Sequence, residues 1–285
     1  MMTMLESQHH LIFYPEDRTK LDECTRRRPA AGEPCSLPTA ILVPHASYDR
    51  VCEALHRSFE HVAMLKPSKV VFLGPLHQEV LAEHEPAFLF TPRAEGIRVA
   101  GVEHVFDAAL AAELCTRFKT QVMREDSYFI EEPAFELTLP FIQSYFPGTA
   151  VLPILSGSCD KAQLAIYTQV IKQITDLDDK VLFIVSANAN ALLPAFEAAK
   201  HAKAFRDALS QGTSLCEGLR MHAISSCNTA ALDAVGRQHW AAGGWNIVGL
   251  YRDGIQQQDI FAESDENEKR VWHISAVLGA AHANQ

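Results

Sequence analysis

Short runs of β-branched and aliphatic residues alternate along this chain with longer stretches in which apolar positions return at helical spacing. The runs at residues 39–43, 69–73, 87–91, 150–155, 180–185, 245–251 and 271–277 predict strands. Between them the spacing predicts helices over 49–65, 106–118, 136–145, 161–175, 192–210 and 229–239. Most of the strand runs are apolar throughout, as expected where helices cover both faces of a sheet. The alternation is the mark of β-α-β units and predicts an α/β fold with a central sheet flanked by helices.

Punctuation adds little to this pattern. Residues 28–38, rich in Pro, Ala and Gly, read as the loop between an amino-terminal arm (1–38) and the first core strand, and residues 264–269 read as a charged turn before the last strand. No internal repeat, low-complexity tract or linker is visible, so the expectation is one domain over 1–285. Its 285 residues suffice for one large core. At 48% hydrophobic and 21% charged residues, the chain is far from the composition of a disordered protein.

Charge and cysteine usage narrow the classes of partner. A net charge of −10, from 35 acidic and 25 basic side chains, offers no broad positive field, and nucleic acid is not expected as a partner. The densest basic run, Arg26-Arg27-Arg28, leads into the Pro/Gly/Ala stretch and reads as a solvated loop. Seven cysteines (Cys24, Cys35, Cys52, Cys115, Cys159, Cys216, Cys227) form an odd set without a C-x-x-C pair. With no apolar signal segment ahead of them and no run of about 20 apolar residues, the expected location is the cytoplasm, with no membrane partner.

Candidate chemistry sits where apolar runs end. No G-x-G-x-x-G, G-x-x-x-x-G-K-[ST] or G-x-S-x-G follows any strand, which makes the dinucleotide, triphosphate and serine-hydrolase classes unlikely. In open α/β sheets ligands bind beyond the carboxyl ends of strands. There the chain presents His45 after residues 41–44, His77 after 70–76 and Asn188 after 183–187, and the loop before Thr229 presents Ser225, Ser226 and Cys227. Two imidazoles at one sheet edge suit a transition metal. Each serves equally well as a strand cap bonded to backbone. Glu132 and Glu136, four apart, share a helix face; they either orient a ligand histidine, act as acid and base, or simply favour a helix's first turn.

These phrases carry a resemblance. Residues 41–48 (ILVPHASY), 72–77 (FLGPLH) and 132–141 (EPAFELTLPF) resemble the P-H-A-G-Y, L-G-P-x-H and E-H-S-x-E-x-Q-L-P motifs of the Memo family. Phe13-Tyr14-Pro15 and residues 151–157 (VLPILSG) are similar to its W-Y-P and V-P-I-L-V-G phrases, and the order holds over nearly the whole chain. The resemblance implies the fold of class III extradiol dioxygenases, a central mixed sheet flanked by helices with a metal-type site at one edge. It also implies iron or copper chemistry, and radical-SAM and AMMECR-type proteins as partners of bacterial members.

Carried over by position, His45 and His77 match the family's histidine ligands, and Glu132 and Glu136 its glutamates. Pro133, Asn188 and Ala191 stand where the family has His, Asp and His. The I-C-G motif aligns with Ile224-Ser225-Ser226, so Ser225 replaces the thiolate. Cys227, two residues on, substitutes only if the loop is shifted; otherwise it is a buried structural thiol. Two neutral imidazoles without an anionic companion hold an ion weakly. The first expectation is therefore a Memo-like protein with a degenerate metal site, binding a small ligand or partner protein and carrying no metal or a weakly bound one. The second is a dioxygenase-like iron or copper oxidoreductase using His45 and His77.

Overall fold

The continuous apolar strands form because alternate residues bury into two different cores. In a computed structural model, which describes residues 2–31, 36–77, 85–261 and 268–278, the chain begins with β1 (Met4–Glu6), α1 (Arg18–Thr25), β2 (Thr39–Val43), α2 (Tyr48–Val62) and β3 (Lys69–Pro75). It continues through β4 (Leu89–Thr91), β5 (Gly96–Val99), β6 (Val102–Val105), α3 (Ala108–Phe118), β7 (Val122–Arg124), α4 (Ser127–Glu131), α5 (Pro133–Glu136) and α6 (Leu139–Tyr145). Then follow β8 (Ala150–Ser156), α7 (Lys161–Leu177), β9 (Val181–Ser186), β10 (Leu193–Pro194), α8 (Ala195–Gln211), α9 (Leu215–Arg220) and α10 (Thr229–Gly236). The last strands are β11 (Trp245–Arg252), β12 (Ile255–Gln256), β13 (Lys269–Arg270) and β14 (His273–Leu278). Cys35 and most of the charged turn expected at 264–269 lie outside the described residues.

Nine strands make one mixed sheet in the order β12-β11-β14-β2-β9-β3-β8-β4-β7. The centre, β2-β9-β3-β8, is parallel, and antiparallel strands β14 and β4 flank it. This is the expected α/β class with its central mixed sheet. Ala40, Leu42, Val71, Leu73, Phe183 and Val185 face a core with α7, α8 and α10. Ile41, Val43, Val70, Phe72, Leu182 and Ile184 face the other core, with α2, α6 and the amino-terminal arm. Two-sided burial is why these strands show no polar alternation.

Several expected boundaries move for local reasons. The helix expected over 136–145 is broken between α5 and α6. Pro140 has no N–H to give, and its ring would crowd the carbonyl of Glu136 four residues back, so the chain restarts at Leu139. The helix expected from 192 begins at Ala195, because Leu193 and Pro194 pair with β13. The helix expected to reach 239 ends at Gly236, followed by a short 3-10 turn at His239–Ala241. The arm itself is structured: β1 joins β5 and β6 in a small sheet, and α1, capped by Asp17, packs beside α2 and α6.

Candidate metal centre

Strand register brings the site residues to one edge. Val43 pairs with Ser186, and Val185 pairs with Leu73, so the chain leaves β2, β9 and β3 at the same level. His45 follows β2 by two residues and His77 follows β3 by two, and their rings meet edge to face with centroids 5.0 Å apart. At the same edge β14, running antiparallel to β2, begins with His273.

The third member of the group is Cys227. One donor atom from each of His45, His77 and Cys227 lies within 4.8 Å of the other two, and Cys227 Sγ stands 3.5 Å from His45 Nε2. Of the three loop candidates, Cys227 is the one whose side chain lies beside the two rings. Ser225 turns its hydroxyl to accept from the Ala191 N–H at 3.2 Å, and Ser226 donates to the Asn188 carbonyl. Asn228, with φ of 56°, adopts the left-handed conformation that turns the chain into α10 just after the cysteine. Asn is among the few side-chain-bearing residues that tolerate it.

Sequence reading missed Asn228, Ser186 and His273. Asn228 Nδ2 donates to the carbonyls of Leu73 and Ser186, both at 3.0 Å, and its Oδ1 accepts from Ser156 at 3.1 Å, so one side chain ties together the ends of β3, β9 and β8. Its left-handed backbone was the one available signal, and that is invisible in a sequence. Ser186 Oγ is 2.8 Å from His45 Nδ1. Asn188 makes a two-way clamp, accepting from His45 N at 3.2 Å and His273 Nδ1 at 3.1 Å while donating to the His45 carbonyl at 3.0 Å. An aspartate could not supply that last donor. The Asn188 N–H also points at Cys227 Sγ, 3.3 Å away.

The two glutamates divide. Glu132 is buried and accepts from His77 N at 3.1 Å and His77 Nδ1 at 2.9 Å, and from Ala134 N at 3.0 Å as the cap of α5. A carboxylate only accepts, so Nδ1 carries a proton. Glu136 is committed to the arm: it accepts from the N–H groups of Gln8 (2.9 Å) and His9 (2.8 Å) and from the Tyr14 hydroxyl (2.5 Å). Burial, then the Glu136 bond and charge, drive the Tyr14 phenol far above its ordinary range. Pro133 and Ala191 bring no titratable group.

The electrostatics favour an anionic sulfur. Burial pushes the Cys227 thiol up, but the charge of His45 and hydrogen bonds with His45, His77 and the Asn188 N–H outweigh it and hold the thiol below its usual range. The bond to Cys227, then that to Glu132, raises the His77 imidazole against the effect of burial. Burial raises Glu132, and the His77 bond and charge more than reverse it. A thiol with a lowered pKa thus stands beside the two imidazoles. A tetrahedral ion would hold nitrogen and sulfur about 3.6 Å apart, close to the His45–Cys227 separation. Donors at the 4.8 Å limit would need to close by about 1.2 Å to reach that tetrahedral separation. Two imidazoles and a thiolate suit copper, iron or zinc, and not the oxygen-seeking magnesium or calcium.

Comparison with known proteins agrees with the early resemblance. The family model described as Memo-like protein matches residues 7–238. A MEMO1 family protein of Caldivirga maquilingensis is 31% identical over 118 residues, 41% of this chain and only 39% of that protein's length. A MEMO1 family protein of Aquifex aeolicus is 27% identical over 192 residues, 66% of this chain and 67% of its own. A crystal structure of an uncharacterized protein from Escherichia coli K12 aligns with a TM-score of 0.47 at 12% identity, covering 85% of this chain and 99% of that one. Among the described residues no helix is long and apolar enough to cross a membrane.

Proposed function

We propose that this chain, which belongs to the Memo-like protein family, holds one copper or iron ion with His45, His77 and Cys227 and acts as an oxidoreductase on a small substrate at the carboxyl edge of its sheet. The observation that carries the reading is the convergence of three donor atoms within 4.8 Å from positions 45, 77 and 227. When bound, such an ion supplies one-electron chemistry and, with three protein ligands, an open coordination position. The protein's own residues set the frame. Glu132 and Ser186 fix the two rings through their Nδ1 atoms, as partners behind metal-bound histidines commonly do. Asn188 holds the His45 backbone from both sides. His77 is half exposed and gives a substrate its approach, while His45 is buried.

A second reading, ligand binding without redox turnover, gains from Pro133 and Ala191, which put no proton-transfer group beside the three donors. Elemental analysis separates the two. Protein purified without an affinity metal and reconstituted with Cu(I) or Fe(II) is expected to retain about one ion per chain, Cys227→Ser to lose it, and Cys216→Ser to keep it. Wild-type protein that stays metal-free under these conditions would leave ligand binding as the function.

A further inference from the structure

We propose a second binding site, for a phosphate-bearing small molecule, in the hollow lined by Glu23, Arg26, Arg27, Arg28, Pro29 and His56. The hollow has a volume of about 440 Å³. It lies away from the metal centre: His56 is eight residues along α2 from Tyr48, about 12 Å from the end of that helix near His45.

The ordinary explanation for arginines after a helix is that they neutralise its last carbonyls. Here that task is done by others. The Cys24 carbonyl is met by His56 Nε2 at 2.7 Å and by Cys52 Sγ at 3.2 Å. The Arg28 guanidinium pairs with Glu53 at 2.9 Å and Glu60 at 3.5 Å, and Arg27 donates to the neutral Ala63 carbonyl. Among the described residues Arg26 makes no ion pair and is exposed. Arg26 and Arg27 therefore keep their charge uncompensated except by Glu23 at the same hollow, in a molecule whose net charge is −10.

The loop that carries them is staked at both ends by buried groups. A carbonyl only accepts, so His56 Nε2 carries the proton given to Cys24 and its Nδ1 accepts from the Tyr145 hydroxyl at 3.1 Å. That hydroxyl in turn accepts from the Arg28 N–H at 3.2 Å. His56 and Tyr145 are each 2% exposed. Burial, assisted by Arg28, lowers the imidazole's affinity for a proton, in keeping with this neutral form. A loop fixed at residues 24 and 28 needs little backbone ordering on binding. Adjacent planar forks of this kind match the clustered oxygens of a phosphate better than a lone carboxylate.

The test is an amide-resolved NMR titration of the full chain, metal included, with inorganic phosphate and separately with acetate at equal ionic strength. Phosphate is expected to shift the Arg26, Arg27 and Arg28 amides saturably while acetate does not, and Arg26→Glu to weaken the titration about tenfold or more. The exposed position of Arg26 leaves the rest of the spectrum unchanged. Unmoved amides, equal shifts with acetate, or equal midpoints in wild type and Arg26→Glu would each overturn the proposal.

Discussion

Single side chains at the candidate metal centre and in the arm act through what they can donate or accept. Glu132 fixes a ring because it has only acceptors, and Asn188 clamps a backbone because it has both kinds of group. His104, on β6, shows the same dependence on surroundings in its titration. Burial, then the charge of Arg18, lowers its imidazole to about 4, against about 6.5 in an unfolded chain. Above about 6.5 neither state binds the proton, and nothing is lost. As pH falls from about 6.5 to about 4 the unfolded state takes up a proton that the native state refuses, removing up to about 3 kcal/mol of stability. Urea midpoints across that window should fall less steeply in His104→Gln; an identical slope would assign the acid sensitivity elsewhere. His45 and His77 were legible as site candidates because each directly follows an apolar run. Cys227 was legible only as one of three loop candidates, because the serine pair beside it offered a competing register and the closeness of its sulfur to the two rings is a tertiary feature.

Elements meet the site through their ends. The carboxyl ends of β3, β8 and β9 are joined by Asn228, which serves as the residue before α10 as well. Asn228→Gly keeps the backbone conformation and loses three side-chain bonds, two to strand carbonyls and one from Ser156, an expected cost of about 3 kcal/mol. Asn228→Ala adds about 1 kcal/mol for a Cβ in the left-handed region. Denaturant unfolding of the two variants measures both, and equal stabilities would mean that the turn carries no conformational demand. The parallel strands were readable in advance as continuous apolar runs, and the long helices because their period spans many residues. The break between α5 and α6 was readable only in part. Pro140 marks it, yet the short α5 owes its cap to Glu132, whose carboxylate is placed by His77 from far along the chain.

At the scale of the whole molecule, the arm closes over the helix pair α5 and α6 and is held by a buried carboxylate. Tyr14 and Glu136, 122 positions apart, share one of the bonds that fasten it, alongside the Gln8 and His9 N–H groups. Tyr14→Phe keeps the packing and removes one donor to a buried charge, with an expected loss of about 2 kcal/mol in urea unfolding. A change under about 0.5 kcal/mol would mean that the arm contributes nothing through this bond. Local patterns, apolar runs and helical period, determined the α/β class, the central strands and the sheet edge that His45 and His77 follow; β1, α1, β5 and β6 were too short or too weakly patterned to be read. The phrases around His45, His77 and Glu132 determined the family. Only the tertiary structure decided which sulfur lies beside the histidines, which glutamate bonds His77 and which the arm, and that the arginine loop is staked. Those outcomes depend on strand register and on hydrogen bonds between residues 28 to 182 positions apart, and no local pattern encodes such separations.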